Sequence, residues 1–141
     1  GVSQISGGSK TSVGGYEKPE TEDETTSAQF DTSDKRSLDE IVNWLCSLNF
    51  IPSFCTACYR EGRTGDRFMQ LCKSGQISNC CHPNALLTLK EYIQDYASED
   101  TKIKANKLID KEINNITSAK VKEICKKRLS MIEQGKRDFR F

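Results

Sequence analysis

Two cysteines two residues apart, Cys55-Thr-Ala-Cys58, and a third, Cys81, after 22 intervening residues are the side chains best suited to hold a metal. The close pair lets two sulfurs face one centre from a turn or the start of a helix, and the long gap allows a loop and a short helix before the third returns. A structural zinc site would need a fourth ligand, with Cys80 or His82 at hand. Both adjoin Cys81, and sharing its backbone turn is expected to strain convergence on one ion. An iron-sulfur cluster held by three thiolates, with one iron open, needs no fourth. Spacing leaves zinc and cluster both open. A disulfide-redox role fits less well, because no βαβ pattern surrounds the CxxC.

Arg60, Arg63 and Arg67 crowd the same segment. A cysteine-ligated cluster is anionic, and guanidinium groups with nearby helix starts would offset that charge. Surface arginine on a loop is the plainer alternative. Of the other cysteines, Cys46, Cys72 and Cys125 fall within helical patterns and read as small buried hydrophobes. Cys80 stands beside a ligand candidate and is left without a role.

These residues must be positioned by helices. Ser37-Leu-Asp-Glu40 is a capping box, and Leu38, Ile41, Val42, Leu45 and Leu48 behind it form an apolar stripe ending before Asn49 and Pro52. Leu86, Leu89, Ile93 and Tyr96 predict a second helix, with Pro83 and Asn84 in its first turn. Ile103, Leu108, Ile109, Ile113 and Ile116 mark a third. Val121, Ile124, Cys125, Leu129 and Ile132 mark a fourth, closed by Gly135. Short connections predict antiparallel packing in a small bundle.

Ahead of these lies a strand expected over Val2 to Ile5, a glycine-rich loop, and an acidic, Thr-rich surface connection from Glu17 to Lys35. The 141 residues begin at Gly1 on a Gly/Ser-rich run, which suggests a piece of something larger. The net charge of +1 gives no electrostatic case for nucleic acid, and the basic residues of the later helices are interleaved with acids as on solvated faces. No apolar run approaches the roughly 20 residues of a membrane span, and an odd cysteine count argues against a disulfide framework. A cytoplasmic protein without nucleic-acid or membrane partners is expected.

The segments FIPSFCTACYREGRTGDRFM, CHPNALLTLKEYIQDYA and GKRDFRF resemble the tail of the radical S-adenosylmethionine tyrosine lyase that matures [FeFe]-hydrogenases. SQISGGSKTSVGGY and QFDTSDKRSLDEIV also resemble the related 2-iminoacetate synthase of thiamine biosynthesis, whose members generally lack the second three-Cys motif. The resemblance implies a (β/α)₈ barrel in which a [4Fe-4S] cluster cleaves S-adenosylmethionine, and a radical splits tyrosine into p-cresol and dehydroglycine. It implies a helical domain whose auxiliary [4Fe-4S] cluster, linked to an extra iron, collects CO and cyanide. The auxiliary motif maps onto Cys55, Cys58 and Cys81.

On that basis residues 1–50 would be the end of the barrel, with its last strand, linker and closing helix, and residues 51–141 a mainly α auxiliary-cluster domain. The partners implied are the rest of the barrel and the scaffold proteins of hydrogenase maturation. The radical three-Cys motif is absent from this sequence, so tyrosine cleavage is assigned to no residue here. A stand-alone zinc-binding interaction module is the alternative of another class.

Overall fold

The computed structural model describes Ile5 and residues 36–141. The expected strand and the Glu17–Lys35 connection fall outside the described residues, apart from Ile5, which is in neither helix nor strand. Among the described residues the chain is helical, with no strand: α1 (Leu38–Ser47), α2 (Ala57–Arg60), α3 (Asp66–Lys73), α4 (Ile77–Asp95), α5 (Glu99–Glu112), a 3₁₀ turn (Ile113–Asn115) and α6 (Ala119–Glu133). The chain divides into two units, Gly1–Ile41 and Val42–Phe141, and the division falls inside α1.

α1 starts at the capping box. The Glu40 amide donates to Ser37 Oγ at 3.3 Å, and the Ser37 amide donates back to Glu40 Oε2 at 2.7 Å. The Ser37 hydroxyl, which donates to Glu40 Oε2 at 2.7 Å, and next the Ser37 amide hold the Glu40 carboxyl below its ordinary value. The helix ends where Asn49 turns to a φ of +61°, so that the Phe50 amide reaches the Leu45 carbonyl and the Asn49 amide that of Cys46. Leu38 and Leu48, at the two ends of the predicted stripe, are exposed, while Val42 and Cys46 enter the core.

That core lies among α4, α5 and α6, with α4 packed against both of the others. Leu86, Leu87, Leu89 and Ile93 on α4 meet Ala105, Leu108 and Ile109 on α5 and Cys125, Leu129 and Ile132 on α6. Burial of this many aliphatic side chains, at about 1.5–3 kcal/mol each, is what holds the three helices together. Ile103 was expected on the inner face of α5 but is 68% exposed. The buried face runs through Thr101, Ala105, Leu108 and Ile109, and Ile103 sits across the helix from Thr101.

Polar ties fix the helices relative to one another within this unit. Asn43 donates to Asp100 at 2.7 Å and to Thr101 at 3.0 Å, and Lys104 closes the group on both Asn43 and Asp100. Buried Lys90 on α4 reaches Asn106 on α5 and Glu133 on α6. Gly135, at a φ of +92°, caps α6 as predicted, with its amide on the Ile132 carbonyl and that of Lys136 on Met131.

Candidate metal centre

The predicted ligands stand on two elements. Cys55 precedes α2 and Cys58 lies within it, whereas Cys81 stands on α4. α4 begins at Ile77, earlier than the predicted first turn at Pro83, so Cys80, Cys81 and His82 are helical and Pro83 lies inside. Proline there removes a single amide donor, which the buried second half of the helix outweighs.

The short α2 is held by its ending. Gly62, at a φ of +63°, lets the Arg63 amide donate to the Cys58 carbonyl at 2.8 Å and the Gly62 amide to that of Tyr59 at 3.2 Å. This closing turn fixes the backbone of Cys58 without a ligand and without a long helix. A glycine four positions past the second cysteine is the sequence signal that marks the turn.

All three predicted ligands are half-buried free thiols. Burial pushes the Cys81 thiol up to about 12, with the neighbouring Cys80 next in effect and Cys58 and Cys55 contributing in the same direction. A thiol raised in this way would keep a negative charge only beside a cation. Among the described residues no three Cys, His, Asp or Glu side chains converge closely enough to hold a metal ion as they stand. Cys80 Sγ and Cys81 Sγ are 3.9 Å apart.

His82 is engaged elsewhere, with Nε2 3.4 Å from Glu112 Oε2 on α5. The arginines part company. Arg63 pairs with Glu61 at 3.0 Å, and its buried Nε lacks any hydrogen-bond partner, while Arg67 is exposed. Arg60 lines a cleft of about 550 Å³ with Cys55, Asn84, Thr88, Glu91 and Phe139. Soft thiol donors and an orphaned guanidinium N–H on the residue that caps Cys58 fit an anionic, sulfur-ligated group.

The remaining cysteines divide as well. Cys46 and Cys125 are buried, as expected, and burial raises both thiols to about 11. Cys72, expected to be buried too, is only half-buried on α3, a helix that buries no residue fully.

No helix among the described residues is long and apolar enough to cross a membrane. No protein-family model and no curated protein matches the chain. A solved structure does: the crystal structure of HydG, a maturase of the [FeFe]-hydrogenase, is 51% identical with a TM-score of 0.86. The match covers 100% of this chain, which spans 30% of the length of that HydG chain. With that identity maintained along its whole length, the chain belongs to the HydG family, matching a part of that protein.

Proposed function

We propose that this chain is the carboxy-terminal, auxiliary-cluster part of a radical S-adenosylmethionine tyrosine lyase, holding a [4Fe-4S] cluster through Cys55, Cys58 and Cys81. The observation that carries the reading is the 51% identity to HydG along the whole chain, together with the CxxC pair Cys55 and Cys58 and the distant third thiol, Cys81. The HydG relationship favours a cluster over zinc, and over the thiamine-pathway synthase, whose members generally lack this motif.

Cys55 and Cys58 would supply two thiolates from the α2 turn and Cys81 the third from α4, while the Arg63 amide keeps Cys58 in place. When bound, such a cluster would offer its one iron without a protein thiolate to the iron that gathers CO and cyanide. Residues 1–50 would belong to the closing part of the barrel, and residues 51–141 to the cluster domain. S-adenosylmethionine, a second cluster and tyrosine would be handled by the rest of the enzyme, and the iron product passed to hydrogenase maturation scaffold proteins.

Anaerobic reconstitution with iron and sulfide, read by EPR after reduction, tests this. The chain should take up a cluster that Cys81→Ala abolishes and that Cys125→Ala and Cys80→Ala leave in place. A chain that takes up zinc and no cluster, or loss of the signal in Cys81→Ala and Cys125→Ala alike at equal solubility, would overturn the reading. In the full-length enzyme Cys81→Ala should spare p-cresol formation and abolish the CO-dependent product.

A further inference from the structure

Cys81 shares a face of α4 with Asn84, Thr88 and Tyr92, at offsets of three, seven and eleven residues along the helix. The last two of these hold the loop that carries Cys55. The Phe54 amide donates to Thr88 Oγ1 at 3.3 Å, and the Phe54 ring stacks on Tyr92 with centroids 4.8 Å apart and planes 16° off parallel. Thr88 in turn donates to the Asn84 carbonyl at 3.0 Å and shares that proton with Ala85 at 3.3 Å. Asn84, 2% exposed, accepts from the amide of Phe141 at 2.8 Å.

We infer that Thr88 is a positioning residue for the metal centre: its hydroxyl sets the register of the Cys55 loop against the α4 turn that bears Cys81. This rests on the reading of those cysteines as cluster ligands. The hydroxyl is oriented by its own donation to the helix backbone, which leaves its lone pairs facing the Phe54 amide. Phe54 is the residue directly before Cys55, so a shift of its amide moves the first ligand relative to the third. The ring stack fixes the distance between loop and helix, and the directional bond to Thr88 fixes where along the helix the loop sits. Interactions that orient a ligand in this way typically change metal affinity about 10–100-fold when removed.

Thr88→Val keeps the branched shape and removes the acceptor, and Thr88→Ser restores it. In the reconstituted chain, iron release to a chelator should be about tenfold faster in Thr88→Val than in wild type, with a broadened EPR signal, and Thr88→Ser should recover most of the difference. Urea midpoints of the apo chains report any effect on the fold as a whole. Wild-type release rates in Thr88→Val, or a Thr88→Ser variant as fast as Thr88→Val, would overturn the inference. Hydrogen exchange of the apo chain gives a readout independent of the cluster: the Phe54 and Cys55 amides should exchange about tenfold faster in Thr88→Val while the α4–α6 core is unchanged. Unchanged exchange at Phe54 would overturn the positioning role even if the cluster binds, whereas faster exchange in a chain that takes up no cluster would sustain it while refuting the proposed function.

Discussion

Arg137 holds Asp95 across 42 residues of chain, with its Nε 2.8 Å from Oδ2 and its Nη2 2.5 Å from Oδ1. The same guanidinium donates to the Ile132 and Lys136 carbonyls, so the segment after α6 is turned back along α4. Phe139 and Phe141 follow it onto the core, and Arg128 covers the Phe141 ring at 4.4 Å. The carboxy terminus is thereby a strap over the helix that carries Cys81.

The Arg137 hydrogen bond is the main cause holding the Asp95 carboxyl below its ordinary value of 3.8. A depressed carboxyl adds stability above its unfolded value and loses it as pH falls through the folded one. Asp95→Asn should therefore lower the urea midpoint at pH 7, with the gap to wild type closing below about pH 4. A gap that stays constant from pH 7 to pH 3 would show that the ion pair contributes nothing.

Gly135→Ala isolates the backbone requirement at the end of α6. A Cβ there would meet nothing within 4 Å, yet the φ of +92° disfavours any L side chain. A loss of about 1 kcal/mol by urea unfolding is expected, and Gly135→Asn should lose less. Equal stability of all three chains would mean the turn relaxes to another conformation at no cost.

The helices were legible because their signals are local. Ser37 and Glu40 marked one start, Gly135 marked one end, and the spacing of Leu86, Leu89 and Ile93 found the face of α4 that enters the core. The early start of α4 was not legible, since Pro83 reads as a first-turn residue and only the packing of the helix behind it carries the chain through. Ile103 misled because hydrophobicity was read without its phase relative to Thr101 and Ala105. The three cysteines were visible by type and spacing, but Thr88 was not. Its role arises from Phe54, 34 residues away, and no local pattern encodes that pairing.

Cys46 and Cys125 give the chain an alkaline weakness. Their thiols ordinarily ionise near 9.0 and are raised to about 11 by burial, so the folded state favours the neutral form. That contribution is whole below pH 9 and is lost as pH rises toward 11, amounting to about 2–3 kcal/mol for each thiol. The stability difference between Cys125→Ala and wild type, set at pH 8 by the space the sulfur leaves, should shrink between pH 9 and pH 11. Under native conditions at pH 8 neither thiol should react with iodoacetamide, and mass spectrometry showing early labelling of Cys125 would contradict the burial seen here.

Lys90 offers the sharpest test of the core. Its side chain is 9% exposed, and its ammonium lies 2.6 Å from Asn106 Oδ1 and 2.7 Å from Glu133 Oε1, joining α4 to α5 and α6. Removing the carboxylate leaves a buried charge with one neutral partner, so Glu133→Ala should lower stability by about 1.5–3 kcal/mol, toward the lower figure because Glu133 itself is largely exposed. Lys90→Met keeps the length of the side chain and removes the charge that needs compensation, and it should cost less than Glu133→Ala or stabilise the chain. In Lys90→Met/Glu133→Ala the effect of losing Glu133 should nearly vanish, which a double-mutant cycle by urea unfolding measures directly. If Lys90→Met proves the more damaging of the two single changes, the ammonium is held chiefly through Asn106, and it is the α4–α5 tie, not the ion pair to α6, that the core depends on.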